Sequence, residues 1–292
     1  MRIAITGASG LIGTALADAL QRSGDQVIRI GRQSPADVLW NPSGQLDPRV
    51  LEGIDGLVHL AGETVSGRWN ENKKSRILNS RARGTETIAM AVARMKTPPR
   101  VLVSASGIGY YGSRGDEVLD EGSTSGTGFL AEVARQWEAA TMPATHAGVR
   151  VVHPRMGVVL AKHGGALPKM LPAFRLGLGG VVGSGRQWWS WICLRDVVSA
   201  IQSLIKNENA IGPVNLVSPN PVTNLEFTKA MAKVLRRPAL FPLPEGAVKF
   251  FFGEMGVETL LASQRVQPKR LEEMGFRFQL PDLNGALRAE LG

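Results

Sequence analysis

A glycine-rich phrase near the start of the chain constrains the fold more than any other sequence feature. Residues 6–13 read TGASGLIG, which places glycines at positions 7, 10 and 13. The apolar residues 3–6 before the phrase predict a buried strand, and residues 11–21 after it have the apolar spacing of a helix. A strand, a glycine turn and a helix in this order are typical of a dinucleotide-binding α/β unit.

Each glycine of the phrase has a separate physical task in such a unit. Gly7 allows a sharp turn out of the strand, Gly10 leaves room for a pyrophosphate near the backbone, and Gly13 lets the helix pack close to the sheet. The helix N-terminus offers free amide N–H groups and a positive dipole end to the phosphates. The other residues of the turn that we predict to contact the cofactor are Ser9, Leu11 and Ile12.

The end of the second predicted strand, residues 26–30, indicates which dinucleotide is bound. An NAD site usually places an acidic residue there, roughly 20 residues after the glycines, to bind the ribose 2′-hydroxyl. No acid lies between Asp25 and Asp37, and Arg32 occupies this position. A guanidinium pairs with a 2′-phosphate, which a carboxylate would repel. We therefore predict NADP(H) as the cofactor.

Strand and helix patterns alternate along the first half of the chain, which predicts a parallel sheet covered on both faces. The expected fold class is α/β, a Rossmann-like doubly wound parallel sheet with a smaller C-terminal α/β lobe. Residues 1–220 would form the cofactor domain and 221–292 a small C-terminal domain. The Gly- and Pro-rich residues 161–189 would contribute loops to the substrate lobe. Thr223 and Glu226 predict a capping box that begins a helix ending near residue 235.

Composition excludes several classes of protein. No apolar run reaches the roughly 18–20 residues of a membrane span. One cysteine, Cys193, excludes an intrachain disulfide, and four scattered histidines disfavour a metal site. The first residues lack the pattern of a secretory signal, so we expect a cytoplasmic protein with no membrane partner.

The net charge of +9 is concentrated locally, because residues 68–100 hold nine basic and two acidic residues. A solvated helix face or an anionic ligand explains this stretch better than nucleic acid does. Trp69 is its only aromatic residue, and no RNA-binding signature accompanies it. We expect no nucleic-acid partner.

Several further phrases stand out along the chain: HLAG at 59–62, SAS at 104–106, YYG at 110–112, PRMGVVL at 154–160, GSG at 183–185, and SQRV with PKRL in the tail at 263–271. Together they resemble motifs of the extended short-chain dehydrogenase/reductase superfamily, and more closely of its atypical "epimerase family protein" branch. The resemblance implies that residues beside the ribose and nicotinamide bind the cofactor: Leu60, Ala61, Gly62, Ser104 and Arg155. It also implies that Ser106 lies in the active-site segment.

The sequence departs from that superfamily at the usual proton-transfer dyad, Tyr-x-x-x-Lys. Phe129 lies near the tyrosine position and Val133 near the lysine position. The chain has two tyrosines, Tyr110 and Tyr111, and neither has a lysine four residues later. The usual dyad is therefore absent.

Three interpretations remain open. In the first, the chain is an oxidoreductase in which Tyr110 or Tyr111 donates the proton with help from Ser106, and Arg155 or Arg81 supplies positive charge. In the second, it is a nucleotide-sugar epimerase or dehydratase, which the missing dyad disfavours. In the third, it binds NADP(H) without turnover, as a sensor or a partner-binding module.

Aromatic and basic residues around 174–191 predict a ligand surface, because tryptophan and arginine favour planar or anionic molecules. Three of the six tryptophans lie between positions 188 and 191. The substrate candidates are Arg81, Arg186 and Trp188. The same residue types are frequent at subunit interfaces, so a homo-oligomer is an alternative use of this region.

Overall fold

The computed structural model describes residues 1–42 and 44–291, and the elements below belong to these ranges. The strands are β1 (Arg2–Thr6), β2 (Gln26–Gly31), β3 (Val38–Leu39), β4 (Gly56–His59), β5 (Val101–Ser104), β6 (Ser106–Gly107), β7 (Val118–Leu119), β8 (Arg150–Met156), β9 (Val158–Ala161), β10 (Gly164–Gly165), β11 (Trp188–Trp189), β12 (Trp191–Cys193), β13 (Gly212–Leu216), β14 (Val222–Thr223) and β15 (Arg265–Val266). The helices are α1 (Leu11–Arg22), α2 (Glu71–Ala93), α3 (Phe129–Ala139), α4 (Met142–His146), α5 (Leu167–Arg175), α6 (Leu194–Lys206), α7 (Asn224–Leu235), α8 (Glu245–Thr259), α9 (Lys269–Glu273) and α10 (Leu283–Leu291). Short 3₁₀ turns occur at Pro48–Leu51 and Ile108–Tyr111.

The main sheet is parallel, with strand order β13-β8-β5-β4-β1-β2-β3, and β6 pairs with β8 beyond the end of β5. Its central strands are buried on both faces, which explains why they read as continuous apolar runs. This confirms the predicted fold class, a Rossmann-like parallel sheet with a smaller C-terminal α/β region.

Alternate side chains of each strand pack into two separate apolar cores, one on each face of the sheet. Ile3 and Ile5 face α1 and α6, where they pack with Leu16, Leu20 and Ile201. Ala4 and Leu57 belong to the other face, which α2 covers. A one-residue shift in register would exchange the two faces, so this alternation fixes which side chains reach the carboxyl edge of the sheet.

The structure corrects two local predictions. The apolar spacing of the sequence predicts a helix over residues 80–95. That helix, α2, begins earlier, at Glu71, because the Asn70 side chain accepts a hydrogen bond from Lys73 N and caps the charged first turns. Residues 161–189 are not only loops, since α5 forms there with Pro168 in its first turn, a position that needs no amide hydrogen. The predicted capping box of Thr223 and Glu226 is confirmed.

The smaller lobe packs around a third apolar cluster. Trp191 and Phe227 lie at its centre and are fully buried, and α10 closes it with Leu283 and Leu287. No helix in the described ranges is long and apolar enough to cross a membrane. The division of the chain at residue 220 stays a prediction.

Candidate functional site

The candidate site lies at the carboxyl edge of the sheet, where the chain reverses its direction of strand addition. Strand β1 pairs with β2 on one side and with β4 on the other. Open α/β sheets bind ligands in a crevice at the carboxyl ends of the strands that flank such a reversal. The glycine turn follows β1, Arg32 follows β2, and residues 60–62 follow β4.

The glycine turn is packed too tightly for side chains at its two ends and is open in its middle. A Cβ on Gly7, whose φ is +70°, would lie 2.8 Å from the amide nitrogen of Ala61, and one on Gly13 would lie 2.2 Å from the Gly7 carbonyl oxygen. Gly10 is exposed and caps α1 without a side-chain hydrogen bond. The first amides of α1 therefore remain available to an anion, which fits a pyrophosphate.

Arg32 is exposed at the end of β2. The nearby carboxylate of Glu63 forms an ion pair with Lys73 at 2.6 Å and approaches Arg76 at 3.8 Å. The hydrogen bond from Lys73 holds the pKa of Glu63 below its usual value. Asp37, the next acid after β2, accepts a hydrogen bond from Arg29 N. These contacts leave Arg32 in a basic environment that suits a phosphate.

Residues 60–62 form the opposite wall of the crevice and are held by neighbouring side chains. The amides of Leu60 and Ala61 donate to Thr6 Oγ1 at 3.2 and 3.3 Å. A Cβ on Gly62 would lie 3.3 Å from the guanidinium carbon of Arg81.

Arg81 is committed to the protein itself. Its guanidinium donates to the carbonyls of Glu63 and Ile77 and stacks 4.9 Å from the Trp137 ring. Burial lowers the pKa of Arg81 to about 10, an effect that the charge of Glu63 opposes. These contacts favour a role in holding the crevice wall over direct binding of a substrate.

Ser106 lies in a buried polar group at the carboxyl end of β5. Its hydroxyl donates to Glu138 Oε1 at 2.7 Å. Glu138 also receives Arg155 Nε and Nη2, both at 2.8 Å, as a bidentate ion pair. Burial alone would lower the pKa of Arg155, but the hydrogen bonds from its guanidinium to Glu138 and the negative charge of that carboxylate raise it above its ordinary value.

This placement differs from the cofactor contact that we predicted for Arg155. The side chain is 3% exposed and satisfied by protein partners, so its geometry favours an internal ion pair over a contact with the nicotinamide. The partner, Glu138, is a residue that sequence reasoning missed. An arginine within the apolar strand β8 was the available signal, because a buried guanidinium requires a carboxylate partner.

The two tyrosines occupy different environments. Tyr111 is fully buried, its hydroxyl donates to Asn215 Oδ1 at 2.7 Å and accepts from Arg155 Nη1 at 3.0 Å, and burial raises its pKa to about 12. Tyr110 is half-buried, and the guanidinium carbon of Arg155 lies 3.5 Å from its ring centroid. The structure thus favours Tyr110 over Tyr111 as a group that could meet a substrate.

The positions near the usual dyad are apolar and packed. Phe129 contacts Trp69 with ring centroids 5.1 Å apart, and Val133 is 3% exposed within the same cluster. The carboxylate of Glu258, from α8, caps the N-terminus of α3 by accepting hydrogen bonds from the amides of Phe129 and Leu130, both at 2.7 Å. A lysine could not take the place of Val133 without displacing that cluster.

Ser104 and His59 lie side by side at the ends of β5 and β4 and are fully buried. Thr6 Oγ1 and His59 Nδ1 share a hydrogen bond of 2.6 Å. Neither His59 Nε2 nor Ser104 Oγ has a hydrogen-bond partner among the described residues. Burial therefore lowers the pKa of His59 to about 4.

This shift makes stability depend on pH. The unfolded chain binds a proton at His59 below pH 6.5, whereas the folded chain does so only near pH 4. The free energy of unfolding should therefore fall as the pH drops through that window, by about 3 kcal/mol. Urea denaturation at several pH values would measure it. In the variant His59→Asn, the free energy of unfolding should depend less steeply on pH. An unchanged pH dependence would contradict the lowered pKa of His59.

The two remaining substrate candidates lie near each other in sequence but differ in their partners. Arg186 is exposed. Trp188 donates from Nε1 to Asp116 at 2.8 Å, and the guanidinium carbon of Arg265 lies 4.3 Å from its ring centroid. One face of Trp188 is thus already occupied. In the described part of the chain, no group of histidine, cysteine and acidic residues could hold a metal ion.

Comparison with known proteins gives consistent matches over the whole chain. A family model described as "NAD dependent epimerase/dehydratase family" matches residues 3–217, and a model for a domain of unknown function, DUF1731, matches residues 243–290. The epimerase family protein Mb2239 of Mycobacterium bovis is 46% identical over 98% of this chain and 96% of its own length. The Bacillus subtilis epimerase family protein YfhF is 36% identical over 98% and 97%.

Two solved structures extend these similarities to three dimensions. The human epimerase family protein SDR39U1, crystallised with NADPH, has a TM-score of 0.92 and 33% identity, with 99% of each chain covered. A structure from Corynebacterium glutamicum, titled a nucleoside-diphosphate sugar epimerase, has a TM-score of 0.84 and 39% identity over 100% of this chain and 58% of that one. The chain therefore belongs to the NAD-dependent epimerase/dehydratase family, as an SDR39U1-like member with a C-terminal DUF1731 domain.

Proposed function

We propose that this protein is an NADP(H)-dependent oxidoreductase that acts on a small-molecule substrate. One observation carries the proposal: the exposed Arg32 directly follows β2, the strand that pairs with β1, and the turn after β1 leads into an α1 N-terminus that has no side-chain cap. The amides of Leu11 and Ile12 would hold the pyrophosphate, and Arg32 would hold the 2′-phosphate. The human relative crystallised with NADPH supports this choice of cofactor.

When bound, NADPH would supply a hydride to the substrate. The chain itself would orient the substrate and provide the proton. Tyr110 suits the second task, because its phenol is half-buried at the carboxyl edge and the Arg155 guanidinium lies over its ring. Glu138 would hold Ser106 and Arg155 in place, through hydrogen bonds that the structure already contains.

The variant Arg32→Ala tests the cofactor assignment. Loss of charge-assisted hydrogen bonds, worth about 1.5–3 kcal/mol, should weaken NADPH binding about 10- to 100-fold and leave NADH binding nearly unchanged. Isothermal titration calorimetry with both nucleotides measures the ratio. Arg22→Ala, an exposed arginine at the other end of α1, is the matched control and should leave both affinities unchanged. Equal losses for the two nucleotides in Arg32→Ala would overturn the 2′-phosphate site.

The two neighbouring tyrosines offer a paired test of the proton donor. Tyr110→Phe should retain NADPH binding and fold stability but abolish NADPH oxidation in an assay with a panel of aldehydes and ketones. Tyr111→Phe should instead lower stability by about 1–3 kcal/mol, because buried Asn215 and Arg155 each lose a hydrogen-bond partner. Full turnover by Tyr110→Phe would contradict the role of Tyr110.

A second function, NADP(H) binding without turnover, is favoured by the apolar packing at Phe129 and Val133. It shares the cofactor site with the first proposal and differs only at the chemical step. Tight NADPH binding together with no oxidation by any carbonyl substrate would favour this sensor or partner-binding function.

A further inference from the structure

Four large apolar side chains lie exposed together on the smaller lobe, where the segment after α5 runs beside the segment after α7. Leu178 forms a β-bridge with Ala239, and the amide of Phe241 donates to the Gly179 carbonyl at 3.2 Å. The four side chains are 74%, 53%, 74% and 58% exposed, and we call them the apolar patch: Leu176, Leu178, Leu240 and Phe241.

Basic residues flank the apolar patch in both of the segments that form it, and these two segments contain no acidic residue. Residues 162–195 and 227–244 contain nine lysines and arginines and no aspartate or glutamate. Arg175 directly precedes Leu176, Arg237 lies three residues before Leu240, and both arginines are exposed. The next acidic residue after Phe241 is Glu245 in the first turn of α8, and its carboxylate pairs with Lys249 at 2.6 Å.

This combination specifies the chemistry of the partner. Clustered exposed apolar side chains mark an interaction site, and a rim of arginines selects a negatively charged partner. A second copy of this chain fits poorly, because a two-fold contact would bring the patch, with its positive rim, against an identical patch. A bilayer with anionic headgroups satisfies both requirements, since the apolar side chains enter the interface and the arginines meet phosphates.

We propose that the apolar patch docks the protein reversibly on an anionic lipid surface. The sequence lacks the continuous apolar run of a membrane span, which is why it predicts no membrane partner. The patch is instead assembled from two segments about 60 residues apart in the chain, each contributing two side chains. Docking of this kind is independent of the cofactor site, so its failure would leave the proposed function untouched.

Vesicle flotation with the full-length protein tests the proposal. We expect binding to vesicles of phosphatidylcholine with phosphatidylglycerol, and none to phosphatidylcholine alone. Leu176→Ser and Leu240→Ser should each weaken binding about tenfold. Arg175→Gln and Arg237→Gln should each weaken it about fivefold and reduce its dependence on salt.

Matched controls separate docking from general adhesion. Leu39→Ser changes a similarly exposed leucine outside the patch, and Arg94→Gln removes an exposed charge directly after α2, so both variants should bind vesicles like the unaltered protein. Absence of binding, or binding that the patch variants leave unchanged, would overturn the proposal. A dimer in sedimentation that Leu240→Ser dissolves, without vesicle binding, would overturn it in favour of self-association.

Discussion

The variant Glu138→Ala should lower the free energy of unfolding by about 3–5 kcal/mol, the cost of leaving a buried charge without its partner. The Arg155 guanidinium is 3% exposed and gives two hydrogen bonds to this carboxylate. Ser106 loses the acceptor of its hydroxyl in the same variant. Urea denaturation followed by circular dichroism measures the change.

Two companion variants show whether the loss of stability is specific to the buried pair of Glu138 and Arg155 or common to any ion pair. Glu245→Ala removes the exposed partner of Lys249 and should change stability by less than about 1 kcal/mol. Glu138→Gln retains an acceptor for the Ser106 hydroxyl but loses the negative charge. Its loss of stability should therefore lie between those of Glu138→Ala and Glu245→Ala. If Glu138→Ala costs no more than Glu245→Ala, the buried group does not organise this edge of the sheet.

The variant Gly13→Ala should abolish NADPH binding and destabilise the fold by about 3 kcal/mol, the upper end of the usual cost of overpacking. The added methyl carbon would lie 2.2 Å from the Gly7 carbonyl oxygen and 2.8 Å from Ala8 Cα. Both atoms belong to the backbone of the turn, so the contact can be relieved only by moving α1 away from the sheet. Thermal denaturation and NADPH titration together measure the two losses.

Two other glycines provide the comparison. Gly246→Ala, in the first turn of α8 with no atom within 4 Å of the new methyl, should leave stability unchanged or slightly raised. Gly10→Ala places its methyl on the exposed side of the turn, 3.2 Å from the Gly7 carbonyl oxygen, and should weaken NADPH binding much more than it weakens the fold. A stable, cofactor-binding Gly13→Ala would refute the close-packed turn.

The fold and the close-packed glycine turn were predictable because both depend on local patterns. Buried parallel strands leave apolar runs, and the turn needs glycine at fixed positions, so residues 3–13 alone indicate a dinucleotide site. Arg32 followed from the same reasoning, since it lies at a known distance along the chain from that turn. The capping box at Thr223 was equally local.

The interior of the candidate site was less predictable because it depends on contacts between distant segments. Tyr110 and Tyr111 are adjacent in sequence, and only the 3₁₀ turn at their position decides which one is buried against Asn215. Glu138 lies 17 residues from Arg155, and no spacing rule joins them. Helix α5 was hidden by the Gly- and Pro-rich composition around it.

A crystal structure of the protein with NADPH tests the central claim most directly. The account predicts the pyrophosphate at the amides of Leu11 and Ile12 and the 2′-phosphate within hydrogen-bond distance of Arg32. It also predicts that the nicotinamide faces the edge that carries Ser106 and Tyr110. A dinucleotide bound elsewhere, or a 2′-phosphate without contact to Arg32, would contradict it.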